Sequence, residues 1–419
     1  MDQTDYDCVS TVLRSIVHIS ANPVILRAFT AQRRIMNMTI SIWPNLLVYT
    51  VTILFSVLSP RITAAQEIAD DILLSALKLE QPILLCGETV PVDDPQALER
   101  FEKEMLVSLG NRSQVILWLK RTTRYFPYIE QMLRENGLPD DLKYLAIAES
   151  ALRMHAGSRK GAMGVWQLMP QTARKFGLVV DVHFDERRNL YLSTPAVVTY
   201  LKALYERLGT WSLSLAAYNM GEEGLEAEIL EQGVTNYYQL YLPLETQRFV
   251  FRILAIKRIV EAPQNHGFSL SPSDFYAPET FSTVRVDAFT DLPLRLIANA
   301  AKTDFKTVKD FNPEIRGHYL AAGTRSVNIP SDGEAGFHDR LTALIEADAK
   351  IRNQRVYVVK EGDSLSGIAQ KFEVPLAALL IWNRIGLSNV IHPGQRLVVF
   401  PASGGIKTDL KDIEGDENG

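Results

Sequence analysis

The C-terminal third of the 419-residue chain is written twice. From Leu294 to Pro401 the sequence matches itself at a constant offset of 71 residues, without gaps. Leu294 pairs with Leu365, Ile297 with Ile368, Ala298 with Ala369 and Asn312 with Asn383. Gly323 pairs with Gly394, Arg325 with Arg396, Val327 with Val398 and Pro330 with Pro401. Such self-similarity marks each copy as a supersecondary unit of its own. The copies occupy residues 281–331 and 355–401. The second reads as strand 356–359, helix 364–372, helix 375–382 and strand 396–400, a small βααβ unit. At about 45 residues it is near the lower limit for independent folding. Residues 332–354 hold one amphipathic helix, FHDRLTALIEADAKI. Residues 268–283, rich in Ser and Pro, form a linker, and the Gly- and Asp-rich tail 402–419 is expected to be disordered.

Residues 66–262 have a different texture. QALERFEKEMLVSL and SQVILWLKRTTRYFPYIEQML carry apolar residues at helical spacing. This predicts a helical extension over 66–130 and a second all-α block over 131–265. Gly137-Leu138-Pro139-Asp140-Asp141 is a break, then a helix start with acidic residues in its first turn. The helix is expected from 141 to about 154. Thr194-Pro195 is expected as N-cap and first helical position of a helix that Gly209 ends. Another helix spans 244–259, and no alternating strand pattern competes in this block.

Composition narrows the function. Lys plus Arg is 44 and Asp plus Glu is 49, so the net charge is 44 − 49 = −5, which argues against a nucleic-acid partner. The only cysteines, Cys8 and Cys86, exclude a disulfide-stapled scaffold and a Cys-rich zinc site, and no motif calls for a metal or cofactor. Residues 46–58, LLVYTVTILFSVL, are an apolar run of 13. That is short for a span of about 20 residues but suits a signal-peptide core. Arg33 and Arg34 precede it and Ala64-Ala65 follow, so residues 1–65 are set aside as a leader. A translation start near Met36 or Met38 would explain residues 1–35. The chain is then exported to the periplasm or cell envelope, and associates with the membrane only if the leader stays uncleaved. Cleavage would leave Cys86 alone, so no intrachain disulfide could form.

Glu149 falls at Leu142 + 7, on the apolar stripe of its predicted helix. A carboxyl there is either ion-paired or held neutral, and the neutral form is a general acid. Three further stretches carry amides and aromatic rings, the groups a sugar site uses. They are GAMGVWQLMP (161–170), AAYNMGE (216–222) and LPLET (242–246), with Asp185-Glu186-Arg187-Arg188 between the first two.

In this order and spacing, the stretches from LPDDLKYLAIAES through GAMGVWQLMP, DERRN and AAYNMGE to LPLET resemble the family 23 lytic transglycosylases. The resemblance is to the membrane-bound lytic murein transglycosylase D type and covers about residues 82–262. It implies a mainly α, lysozyme-like catalytic domain. Such enzymes cleave peptidoglycan between N-acetylmuramic acid and N-acetylglucosamine, leaving a 1,6-anhydromuramic end. By the same resemblance Glu149 is the single acid/base. Ser150, Ser158, Gln167, Tyr218, Asn219 and Glu245 match substrate-site positions. The sequence departs from the pattern at Phe249, where many members carry Tyr, and at Lys160, where some carry Ser.

The second repeat, YVVKEGDSLSGIA through WN to IHPGQ, resembles a LysM domain, which implies binding of N-acetylglucosamine-containing glycan. Gly362-Asp363-Ser364 reads as a turn into a helix N-cap. Glycan contacts are expected at Gly362, Asp363, Ser364, Leu365, Ile391, His392 and Pro393. The first repeat has Thr290-Asp291-Leu292-Pro293 at that turn and resembles a degenerate copy, a spacer or a second glycan binder. Peptidoglycan strands are the expected partner, and a weak tethered module would raise the local concentration of the enzyme on that polymer. A lysozyme-type hydrolase and a catalytically silent wall-binding scaffold are the competing functions.

Overall fold

The computed structural model describes residues 73–79 and 82–400; the leader core 46–58 and the tail 402–419 lie outside them. Among the described residues no single helix is long and apolar enough to cross a membrane. After the helical residues 73–77, the first strands among the described residues form a minimal hairpin, β1 (Leu84–Leu85) against β2 (Glu88–Thr89). Cys86 and Gly87 turn it, both at positive φ (54° and 81°). The all-helical expectation for this block therefore misses a strand pair too short to show alternation.

Eight helices follow: α1 (Pro95–Gly110), α2 (Arg112–Glu135), α3 (Lys143–Ser150), α4 (Pro170–Lys175), α5 (Leu190–Leu208), α6 (Trp211–Met220), α7 (Glu222–Gln232) and α8 (Leu244–Glu261). The start of α1 is set by Asp94, whose carboxylate accepts from Gln96 N (2.7 Å) and Ala97 N (3.1 Å), with Pro95 at the first helical position. Helix α8 is the axis of the block. It buries Phe249, Val250, Phe251, Ile253, Leu254, Ala255, Ile256 and Ile259, and packs against α1, α3 and α6.

Two helix boundaries differ from expectation. Helix α3 stops at Ser150, four residues early, because Ala151 and Leu152 both take left-handed φ (57° and 59°). Helix α5 starts at Leu190, not at Pro195. Asn189 caps it, accepting from Tyr191 N (2.9 Å) and Leu192 N (3.3 Å). Pro195 then sits inside the helix and leaves the Tyr191 carbonyl without its i+4 donor. The Tyr128 hydroxyl supplies the missing bond at 2.9 Å.

Each repeat encloses two helices with a two-stranded antiparallel sheet made by its first and last strands, and the first repeat adds a second short strand pair, Leu292–Pro293 with Tyr319–Leu320. The first has β3 (Ser282–Ala288), β4 (Leu292–Pro293), α9 (Leu294–Ala300), α10 (Phe305–Phe311), β5 (Tyr319–Leu320) and β6 (Gly323–Ile329). After α11 (Phe337–Gln354) comes the second, with β7 (Val356–Val358), α12 (Leu365–Lys371), α13 (Leu376–Asn383) and β8 (Arg396–Val398). Its core is Val359, Ile368, Ala369, Val374, Leu379, Leu397 and Val399.

The gapless offset of 71 holds only in the helices, where Ile297 matches Ile368 and Val308 matches Leu379 inside the two cores. In the last strand the inward residues are Val327 and Ile329 in one copy, Leu397 and Val399 in the other, an offset of 70. The asparagines agree. Asn312 holds the N–H and C=O of Asn328, and Asn383 holds those of Val398. In the first strand, pairing of Val284 with Val327 and of Tyr357 with Leu397 gives 73. A one-residue slip reverses the face of every strand side chain, so the identities Arg325/Arg396 and Val327/Val398 join residues on opposite faces.

Candidate active site

Glu149 lies in the last turn of α3 as a half-buried residue whose carboxyl sits in a desolvated setting. No donor among the described residues hydrogen-bonds it. Burial, with a smaller contribution from the charge of Glu245, pushes its pKa from 4.5 up to about 8; the nearby Arg252 guanidinium opposes the rise. At neutral pH the group is therefore a protonated acid. Glu245 goes the other way. It lies exposed in the first turn of α8, held bidentate by Arg252 (2.7 and 3.4 Å) and kept below the ordinary carboxylate range. Two carboxyls that influence each other and are pushed apart in pKa mark an acid and a permanent anion.

The loop 156–169 carries Gln167 and Trp166. Gln167 takes positive φ (49°), and its amide nitrogen donates to Gly164 O (2.8 Å) and Ala156 O (3.1 Å). Trp166, 1% exposed, donates from its indole to Thr194 Oγ1 (3.0 Å), and its carbonyl accepts the Tyr218 hydroxyl at 2.6 Å. The Glu149 charge acts on Tyr218, which joins this loop to the acid. Asn219 accepts from Thr246 Oγ1 (2.8 Å), linking α6 to α8 and leaving its amide N–H groups without a protein partner among the described residues.

Arg187 clamps the loop from outside. Its guanidinium donates to Gly161 O (2.7 Å) and Leu168 O (2.9 Å), and is fixed by both oxygens of Asp185 (2.8 and 2.9 Å). Both residues are buried. The Asp-Glu-Arg-Arg stretch thus has a mechanical task that its sequence alone does not disclose.

Glu149 is within electrostatic reach of Tyr218 and Glu245, Tyr218 is bonded to the Gln167 loop through the Trp166 carbonyl, and Asn219 is bonded to Thr246 beside Glu245. Both serines are engaged by nearby backbone: the buried Ser150 hydroxyl donates to Ala146 O (3.1 Å), and the exposed Ser158 Oγ accepts from Ala162 N (3.0 Å). Lys160 is exposed and Phe249 is buried in α8. In the second repeat Ser364 caps α12 through Gly367 N (3.1 Å), and Asp363 accepts from Tyr357 Oη and Lys360 N, both at 2.7 Å. Gly362, Ser364, His392 and Pro393 are exposed, with Leu365 and Ile391 half-buried beside them.

Sequence reading missed Glu104 and its two arginines. Glu104, 2% exposed on α1, binds Arg248 and Arg252 (3.2 Å) of α8. It therefore anchors the cation that faces Glu149. Replacing Glu104 by glutamine leaves two half-buried guanidiniums undercompensated. It should cost roughly 1–3 kcal/mol, less than for a fully buried pair because the arginines are partly solvated. Urea unfolding measures it as a lowered midpoint with unchanged slope.

A half-buried carboxyl with a raised pKa on a helical scaffold is suited to general acid–base chemistry. The chain carries a Transglycosylase SLT domain, matched over residues 126–240, and a LysM domain, matched over residues 357–400. It is 29% identical over 319 residues to membrane-bound lytic murein transglycosylase D of Escherichia coli strain K12, covering 73% of this chain and 70% of that relative. Among solved structures it is similar to the 70 kDa soluble lytic transglycosylase of Escherichia coli, with 16% identity and TM-score 0.31. It is also similar to the lytic transglycosylase Slt of Pseudomonas aeruginosa, with 18% identity and TM-score 0.25. The chain spans 46% and 26% of those two proteins.

Proposed function

We propose that the chain is a peptidoglycan lytic transglycosylase. It cleaves the N-acetylmuramic acid–N-acetylglucosamine β-1,4 bond and leaves a 1,6-anhydromuramic end. The observation that carries this reading is the single neutral carboxyl, Glu149, beside a carboxylate already committed to Arg252. Hydrolases of the two-carboxylate type need the second group free as nucleophile or water-activating base. With Glu245 tied up, the substrate supplies the nucleophile. Glu149 protonates the glycosidic oxygen as the C1–O bond breaks. The resulting carboxylate then takes the proton of the sugar's own C6 hydroxyl as that oxygen closes on C1. An intramolecular nucleophile carries a high effective molarity, so the enzyme needs no nucleophile of its own.

Asn219 and the oxygen of the Gln167 amide offer hydrogen bonds to sugar hydroxyls. The exposed loops 362–365 and 391–393 bind the glycan strand. Residues 1–65 direct the chain to the envelope, as a cleaved signal or a retained anchor. A lysozyme-type hydrolase remains the second reading, because Glu245 lies close enough for its charge to act on Glu149. Mass spectrometry of murein digested with the purified 66–419 protein decides between them. Products lighter by one water support transglycosylation, and hydrated reducing ends overturn it.

A further inference from the structure

The first repeat is joined to the catalytic block by shared core rather than by a linker. Phe184, 5% exposed in the loop just before Asp185, is a member of the repeat's own apolar core, together with Val284, Leu294, Ile297 and Val327. The Arg325 guanidinium lies 4.5 Å over the Phe184 ring. Backbone bonds stitch the two sides: Asp185 N to Glu314 O (2.9 Å) and Arg316 N to His183 O (2.8 Å). The buried Glu314 accepts from Asn189 Nδ2 at 2.8 Å, and Asn189 caps α5. Asp185 and Asn189 bracket Arg187, the clamp on the Gln167 loop.

The same repeat closes loops whose counterparts stand exposed in its sister copy. Its two loops pair with each other, Leu292 with Leu320 and Pro293 with Tyr319. Leu294 N donates to His318 O (3.0 Å) and Ala322 N to Asp291 Oδ1 (2.8 Å). Leu292, Leu294 and Leu320 are buried there, whereas Ser364, His392 and Pro393 in the second repeat stand open.

We propose that the first repeat is a brace that positions the Gln167 loop through Phe184, Glu314 and Arg187, and that it is not a glycan-binding module. This rests on the transglycosylase reading for its assay but not for its geometry.

The test uses the full chain carrying Glu314→Ala, Glu314→Gln, Phe184→Ala or Phe184→Leu. Two readouts are taken: steady-state cleavage of murein, and co-sedimentation with insoluble murein. Glu314→Ala and Phe184→Ala are expected to lower kcat about tenfold or more, because small misplacements of positioning groups are costly in rate. KM and co-sedimentation should stay within about twofold of the parent, a margin smaller than the loss of one hydrogen bond would give. Glu314→Gln keeps an acceptor for Asn189, and Phe184→Leu keeps an apolar plug, so both should restore most of kcat. If Phe184→Ala does not fold, the Glu314 pair decides, since it alters one hydrogen bond. Unchanged kcat in Glu314→Ala, or weakened co-sedimentation with kcat intact, overturns the proposal. Hydrated products from the parent protein would sink the transglycosylase reading, yet the kcat ratios would still report on the brace.

Discussion

Glu149→Gln is expected to lower the rate of murein cleavage by about 10²–10⁴-fold, the range general acid–base help supplies. Glutamine keeps the shape of the buried acid but cannot deliver a proton to a leaving oxygen. The parent enzyme should also lose kcat/KM as pH rises through about 8, where Glu149 gives up its proton. The same shift has a consequence for stability. Its folded pKa lies above its unfolded value, so between 4.5 and about 8 the folded chain holds a proton that the unfolded chain releases. Stability from this group is complete below that window and is lost as pH rises through it. Glutamine has no such liability. Glu149→Gln should therefore be more stable than the parent at pH 9, by roughly 1–3 kcal/mol, and nearly equal to it at pH 4.5. Paired thermal melts at the two pH values check the sign. Normal cleavage by the variant would end the assignment of Glu149.

What the sequence discloses and what it withholds follow from the range of the interactions involved. The amphipathic helices are legible because their periodicity is local, and Glu149 stands out because it breaks that periodicity. The early end of α3 is not legible, since nothing in Ala151 or Leu152 advertises a left-handed φ that only the surrounding structure imposes. Pro195 misleads for a similar reason. Its usual place is the first turn, and the bond that lets it sit deeper comes from Tyr128, 63 residues before the Tyr191 carbonyl it satisfies. Glu104 is hidden among the other charges of QALERFEKEMLVSL, and its partners in α8 lie 144 and 148 residues on. The repeat is visible as identities, but which face each strand presents depends on loop lengths, and the two copies differ there. The Arg187 bonds to Gly161 and Leu168 are long-range, and no local pattern discloses them.

Among the described glycines, Gly164→Ala should be the most damaging, costing about 3–5 kcal/mol. Two separate penalties add. Gly164 has φ of +83°, which costs an alanine about 1 kcal/mol or more. A β-carbon there would overlap the Arg187 carbonyl oxygen and lie 2.7 Å from its carbon. The obstacle is backbone, so no rotamer relieves it, and overpacking of this kind costs typically 1–3 kcal/mol or more. Nor can the loop retreat. Gly164 N is bonded to Ala156 O (2.8 Å), and Arg187 holds Gly161 and Leu168 on either side. Gly161→Ala separates the two penalties. Gly161 also has positive φ, 93°, but nothing lies within 4 Å of its would-be β-carbon. It should lose only the conformational part, about 1 kcal/mol. Urea midpoints of the two variants therefore measure the close approach directly. Murein cleavage should follow the same order, because the displaced segment carries Gln167 and the Trp166 carbonyl that holds Tyr218. Equal losses in the two variants would mean that Arg187 is free to move, and the clamp would then have no bearing on the site.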